Sequence, residues 1–363
     1  MGLFRIVVVA LGLALFGLAQ PAAAQTPPRE GDAVWEYLAG LSGAERLAVL
    51  EAEARREGSL VLWGVLGIDR AEILLGMFRE RYPEIATEFV RLTADTATDR
   101  LLLEQRAGNI TADLIISSTS YLDLHKEALA PYEPTTWADF DPRFREGGYA
   151  EGWTAISYEV LPEAYAWRTD LISAQEAPKV LDQIADPKWR GRIGTTTQLE
   201  RVIDLLVTTY GEEAAMQKVE SLAALDNQLF KSIAALSEGL AGGQIDLAWG
   251  IGVYRADQLK SSGAPVDYVF ADPLYGLGVT ISVVRGAPRP YAAALFMEFL
   301  TQADTLQKID KLEPGRMFGN TKGAYTIDFA QYPSLALYRP IPADRFKELN
   351  RTVQDLFIRR TAQ

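Results

Sequence analysis

Cysteine is absent from the 363-residue chain, and histidine occurs once. The first absence removes disulfides, lipid-modified cysteine and any cysteine nucleophile. The second removes a His-rich zinc site, and the two together exclude a Cys–His catalytic pair. No Gly-x-Ser-x-Gly, phosphate-binding loop or complete dinucleotide fingerprint occurs either. Gly250-Ile251-Gly252 lacks the third glycine of that fingerprint, so no nicotinamide is expected, nor any other cofactor. Positive charge is also short: 36 Lys and Arg face 48 Asp and Glu, a net charge of −12. Such a body is a poor partner for nucleic acid or an anionic membrane, although a cleft can carry a local field of its own.

Long apolar runs are missing beyond the start of the chain. There, Met1 to Arg5 is a short basic lead, Ile6 to Ala19 is apolar, and Ala22-Ala23-Ala24 precedes Gln25. The apolar run is too short for the ~20 residues that span a bilayer. Basic start, apolar run and small-residue site describe a cleavable secretory signal over residues 1–24. A soluble periplasmic protein is the expectation. The remainder suits about two domains of ~150 residues, and 48% apolar with 23% charged residues is an ordinary globular composition.

What is present is an alternation of strands and helices. Gln25 to Gly31 reads as a lead, and Ser42 to Arg56 as an amphipathic helix on the first lobe, so 25–57 is an N-terminal appendage. Leu60 to Trp63, Ile85 to Val90 and Leu114 to Ser117 read as strands, with helices over Asp69–Tyr82, Thr96–Ala107 and from Ser120. This β-α-β-α-β order predicts a parallel sheet with right-handed crossovers. A Pro- and Gly-rich stretch, 130–152, precedes an extended segment at Trp153–Val160, where the chain is expected to cross into a second lobe. Helices are expected over Leu199–Tyr210 and Glu212–Ala223, and Val279–Val284 is a strand returning to the first lobe. The predicted division is 58–155 for the first lobe, 156–275 for the second, and 276–363 for the return and the C-terminal helices. The last of these, Ala343–Arg359, aligns Phe346, Leu349, Val353 and Phe357 on one face.

In an open α/β sheet, ligands sit beyond the carboxyl ends of the strands. The stretch Leu236–Arg255 organises the second lobe around such an end: a strand Ile245–Trp249 leaves through Gly250-Ile251-Gly252 into Val253-Tyr254. An ordinary strand-to-helix turn explains the glycines equally well. Asp69, Thr96, Ser120 and Thr197 each follow a strand and have an acid three residues later, the pattern of a helix N-cap. Capping accounts for the acids. The hydroxyls upstream, Ser117, Ser118 and Thr119 in one lobe and Thr195 and Thr196 in the other, are the better ligand candidates. Trp63 and Gly64, Gly252 and Tyr254, and Tyr275 lie near other strand ends and complete the candidate binding set, although aromatics there serve equally as core. No catalytic residue is expected. His125 falls inside the helix predicted from Ser120 to Leu129, a packing or surface place.

Taken in order, several segments carry a resemblance. They are Glu57-Gly58-Ser59-Leu60-Val61-Leu62-Trp63; Phe78-Arg79-Glu80-Arg81-Tyr82-Pro83; Ala107 to Leu114 leading into Ser117-Ser118; Asp186-Pro187-Lys188-Trp189-Arg190-Gly191-Arg192-Ile193; Gly243 to Ala248; and Arg285 to Pro290. The chain resembles periplasmic solute-binding proteins of ABC importers, in the branch that contains the ferric-iron-binding proteins. The resemblance implies a type II periplasmic-binding fold of class α/β: two lobes, each a mainly parallel sheet flanked by helices, closing on a ligand in the cleft between them. It also implies a monomer that delivers a small polar or anionic solute, or an oxyanion, to a permease in the inner membrane. Iron-binding members use two adjacent tyrosines. Val253-Tyr254 supplies one, so no metal site is expected, with Tyr254 the ligand if iron does bind. A receptor for a membrane sensor and a periplasmic hydrolase are the readings from other classes.

Overall fold

Strand β1 (Ser59–Gly64) pairs in parallel with β2 (Ala86–Arg91) on one side and β3 (Leu114–Ser118) on the other. The structure, a computed structural model, describes residues 26–29, 31–146, 149–150, 153–197, 199, 206–333, 335–337 and 342–361. The predicted signal segment lies outside them, as does the middle of the helix expected over 199–210. Next to β3 the sheet turns antiparallel.

The longest strand, β4 (Ile156–Arg168), belongs to both lobes. Four further strands complete the second lobe: β5 (Ile193–Thr196), β6 (Gln228–Phe230), β7 (Leu247–Gly252) and β8 (Val266–Phe270). β9 (Tyr275–Val283) lies between β3 and the first half of β4 and is antiparallel to both. Short strands β10 (Met317–Phe318) and β11 (Ala336–Leu337) join β4 and β9. The second half of β4 pairs antiparallel with β7 and β8, while β5 lies parallel between β6 and β7. The path through the sheet is β2-β1-β3-β9-β4-β7-β5-β6. Parallel pairing therefore holds within each lobe, and the strands that join the lobes are the antiparallel ones.

Helices cover the faces. α1 (Asp32–Ala39) buries Val34, Trp35 and Leu38, and no pattern in the sequence had singled it out. α2 (Gly43–Glu57) starts with a capping box between Ser42 and Glu45 and buries Leu50 and Ala54 against α8, described below. α3 (Ile68–Arg81) and α4 (Ala94–Ala107) follow β1 and β2. The second lobe carries α5 (Glu212–Ala223), α6 (Ile233–Ala241) and α7 (Val253–Ser261). α8 (Pro290–Thr301) is buried along its whole length, and α9 (Ala303–Leu312) follows it. Leu74, Leu75 and Phe78 of α3 pack with Phe296 and Phe299 in the first-lobe core, with Phe78 and Phe296 edge-on at 5.1 Å.

The last helix, α10 (Ala343–Thr361), departs from the expected return to the first lobe. Leu349, Val353 and Phe357 join the second-lobe core, where Phe357 lies 6.0 Å from Trp249. Arg345 pairs with Glu212 of α5. The amphipathic stripe covers apolar surface that the second lobe would otherwise leave open.

Three predicted N-caps shift. α3 begins one residue before Asp69 with Gly67 as cap, and α4 is capped by Thr93, whose hydroxyl accepts from the Thr96 amide. After β3 the chain forms a single 3-10 turn, Thr119–Tyr121, then one turn of α-helix at Leu122–His125, so Ser118 rather than Ser120 flanks the start.

Candidate functional site

Strand ends build a cleft of about 660 Å³. β1 and β3 bring their carboxyl ends to it from the first lobe, with Val65, Leu66 and Gly67 leading into α3 and Ser117-Ser118 closing β3. β4 and β9 form the floor through Glu159, Leu161, Leu277 and Val279. The second lobe contributes one side of α7, from Tyr254 to its last residue, Ser261. The loop Glu313-Pro314-Gly315-Arg316, between α9 and β10, reaches across to meet α7.

Charge dominates the floor. Arg70, in the first turn of α3, pairs with Glu159 of β4 and with Glu313. Arg316 lies 3.5 Å from Glu159 and 3.7 Å from Glu313. The side chains of Arg70 and Arg316 are 8% and 7% exposed and that of Glu159 is 1% exposed, while Glu313 is 25% exposed, so three buried members and one at the rim make a quartet of two cations and two anions. Buried charges persist only when paired, and the quartet is balanced. It is not saturated. Nε of Arg70, Nε of Arg316 and the hydroxyl of Ser117 are buried without a hydrogen-bond partner, as is the acceptor Oε1 of Glu159. Buried donors of this kind call for an acceptor.

Tyr254 stands over this floor. Its ring is half-buried, with the Arg316 guanidinium 4.6 Å from the centroid and that of Arg255 at 5.4 Å. Gly252 makes room for the ring, since a Cβ there would come within 2.6 Å of it. Glycines 250 and 252 are part of β7 and not a loop beyond it. The strand runs to Gly252, and Gly250, at φ +70°, is the extra residue of a bulge against Ala164 and Tyr165. α7 then starts at Val253 without a connecting turn, which is how Tyr254 reaches the cleft. Val253 itself is 1% exposed and turns into the core with Leu236 and Leu240.

Of the predicted binding positions, Ser117, Ser118 and Tyr254 line the cleft together. The others stand apart from it. Trp63 is 1% exposed in a small core with Leu101 and Ile115, under the Arg100 guanidinium at 4.1 Å. Gly64 packs flush on the Ile116 carbonyl, and Thr119 is buried against Gly278. Thr195 and Thr196 are buried in β5, where they pair with Leu229 and Phe230 of β6, and Thr195 packs against Gly250. Tyr275 is buried in the second-lobe core. His125 is 1% exposed, outside the cleft, and burial pushes its imidazole down to about 4.

Sequence reasoning passed over Arg70, Glu159, Glu313 and Arg316. Two of them did leave a trace. A base in the first turn of a helix opposes the helix dipole, and Arg70 sits there. Glu159 interrupts an otherwise uncharged run, Ala155 to Pro162, where a charge must have a partner if the strand is buried.

A family model described as bacterial extracellular solute-binding protein matches residues 76–336. Solved structures are similar throughout the fold. A substrate-binding protein of an ABC transporter from Agrobacterium tumefaciens is 16% identical with TM-score 0.69, covering 84% of this chain and 96% of that one. Iron-bound HitA from Pseudomonas aeruginosa is 18% identical with TM-score 0.66, covering 81% and 99%. AfuA from Actinobacillus pleuropneumoniae, with exogenous fructose-6-phosphate bound, is 17% identical with TM-score 0.64, covering 84% and 99%. No curated protein sequence matches the chain.

Proposed function

This chain belongs to the bacterial extracellular solute-binding protein family, and on that premise we propose that its cleft takes a small organic anion, a carboxylate or phosphate ester. As the substrate-binding component of an ABC transporter, it captures the solute between its lobes and passes it to the permease. The observation that carries the ligand class is the set of unpartnered donors on the cleft floor, Arg70 Nε, Arg316 Nε and Ser117 Oγ. An oxyanion supplies acceptors to all three, and hydrogen bonds to a charged group are the strong ones, each worth roughly 1.5–3 kcal/mol. Glu159 and Glu313 set a threshold, because the ligand must compete with them for the same guanidinium groups. The fructose-6-phosphate held by AfuA is an anion of this class.

Ferric iron fits less well. Tyr254 is a single phenol beneath a guanidinium, and its neighbour Val253 turns into the core. The rest of the reading follows the sequence: a chain exported to the periplasm and processed before Gln25, acting as a monomer and without catalysis. The first lobe is drawn at 58–155 with the return from 276, and the second at 156–275 joined by α10.

A thermal-shift screen of small carboxylates, phosphate esters, inorganic phosphate, amines and ferric citrate tests the ligand class. An organic anion at 100 times its dissociation constant adds about 2.7 kcal/mol of stability. Arg316→Ala abolishes that gain. A screen in which only ferric citrate stabilises, with a visible phenolate-to-iron band lost in Tyr254→Phe, overturns the reading in favour of iron.

A further inference from the structure

Behind the contact between Tyr254 and Gly315 lies a second cavity, of about 240 Å³. It shares Asp257 and Pro314 with the cleft, so the two cavities stand back to back across one wall. Its surfaces come from both lobes. Tyr268 and Phe270 of β8 enter from the second, and Tyr325, Asp328 and Tyr332 from the segment between β10 and β11 of the first.

The lining is aromatic and acidic. Phe270 and Tyr332 stack at 5.2 Å, and Tyr325 packs beside Phe318 at 5.1 Å with its hydroxyl buried and unpartnered. Tyr268 donates its hydroxyl to Asp257 at 3.0 Å, which leaves that carboxylate with acceptor capacity. Among the described residues that line the cavity, the charged ones are Asp257 and Asp328, and none is basic. Two bases that touch lining residues, Lys260 beside Tyr268 and Arg143 beside Tyr332, are engaged by other acids. Lys260 is held by Asp267 at 2.7 Å and Arg143 by Asp141 at 2.9 Å. Ring faces and carboxylates both attract positive charge. A bare metal ion needs several oxygen ligands at short range, and among the described residues no group of three acids or histidines is arranged to hold one. An alkylammonium group needs only ring faces and one or two carboxylates.

We propose that this cavity is a second binding site, for a small organic cation, spanning the two lobes on the side opposite the solute cleft. Bound there, the cation touches the same α7 turn and the same Pro314 loop that wall the cleft. Occupancy of one cavity thereby bears on the geometry of the other. The proposal does not depend on which solute the cleft takes.

The probe is tetramethylammonium chloride, titrated against the full-length mature protein by saturation-transfer NMR and thermal melts, with sodium chloride at matched ionic strength as control. Saturable binding is expected for tetramethylammonium and not for sodium. Tyr268→Leu should weaken it roughly tenfold or more, and Asp328→Asn by a smaller, measurable factor while still capping the turn after it. Organic anions bound by the cleft should bind both variants. Absence of saturable binding to the wild type overturns the proposal. So does binding that is unchanged in Asp328→Asn together with Tyr268→Leu, or in Asp328→Asn alone where Tyr268→Leu does not fold.

Discussion

Replacing Gly315 by alanine tests how the two lobes meet. Gly315 has φ +91°, outside the range that residues with a Cβ adopt readily. A Cβ there would lie 2.5 Å from Cα and 2.9 Å from the amide nitrogen of Tyr254. Both are backbone atoms at the start of α7, so no side-chain rotation relieves the overlap. Carbon contacts settle near 3.5–4.0 Å, so the loop must retreat by roughly 1 Å. Backbone strain of this kind costs about 1–3 kcal/mol, and overpacking costs a similar amount. A total near 2–4 kcal/mol should lower the melting temperature by roughly 5–10 °C. The retreat also carries Arg316 away from the Tyr254 ring and from Glu159. Losing one charged hydrogen bond to the ligand, about 1.5 kcal/mol or more, weakens anion binding about tenfold. The assay is paired: thermal melts of the unliganded protein, and calorimetric titration with the best anion from the screen. Gly76→Ala is the control, because Gly76 lies within α3 with nothing nearer than Arg79 Nη2 at 3.9 Å, and alanine there should stabilise by about 0.5–1 kcal/mol. If Gly315→Ala melts and binds like the wild type, the lobes do not meet at this point in solution and the argument fails.

Three further outcomes are expected. Burial pushes the Glu57 carboxyl up from 4.5 to about 7, although the amides of Tyr291 and Ala292 donate to it. An acid with a raised folded pKa holds its proton more tightly folded than unfolded, so its contribution is full below about pH 4.5 and is lost as pH rises through 7. Glu57→Gln should flatten that decline in a pH series of melts and exceed the wild type at pH 8. His125 runs the other way: burial drops it from 6.5 to about 4, its Nδ1 lying 3.0 Å from the Thr98 hydroxyl, so stability is full above pH 6.5 and falls as pH drops towards 4. His125→Gln should remove that acid-side loss, and a pH profile identical to wild type would count against a buried neutral imidazole. Ser42→Ala breaks the capping box of α2 and should cost about 1 kcal/mol, a shift of a few degrees in the same melts.

Local patterns carried the sequence reading as far as local physics reaches. The alternation of apolar runs and amphipathic stretches gave β1 to β3 and their helices, because each element's periodicity is written within its own ten residues. Ser117 and Ser118 were legible for the same reason, being hydroxyls at the end of an apolar strand. Thr96 has an acid three residues on and Thr93 does not, so the local pattern favoured Thr96, and the end of β2 at Arg91 places the cap at Thr93 instead. The charged quartet was hidden for a different reason. Arg70, Glu159 and the Glu313–Arg316 loop come from well-separated parts of the chain, and nothing local says that they meet. The burial of Thr195 and Thr196 was not legible either, since nothing local records that β6 and Gly250 pack against them. Trp63 at a strand end likewise fits a ligand platform until α4 lays Arg100 across its ring.

The position of β9 bears on the order in which the chain can mature. β9 sits between β3 and β4, yet its residues 275–283 come after all the strands of the second lobe. A chain that emerges N-terminus first therefore presents β1, β2 and β3 with one edge of β3 open. That edge stays unpaired while more than a hundred further residues are delivered. The second-lobe strands β5 to β8 form a continuous run and are complete by Phe270. Non-local pairing of this kind is slow, because loop closure must precede the contacts that reward it. The first lobe therefore cannot lock until the last quarter of the chain has arrived, and until then the open edge of β3 is the place a holding chaperone would grip.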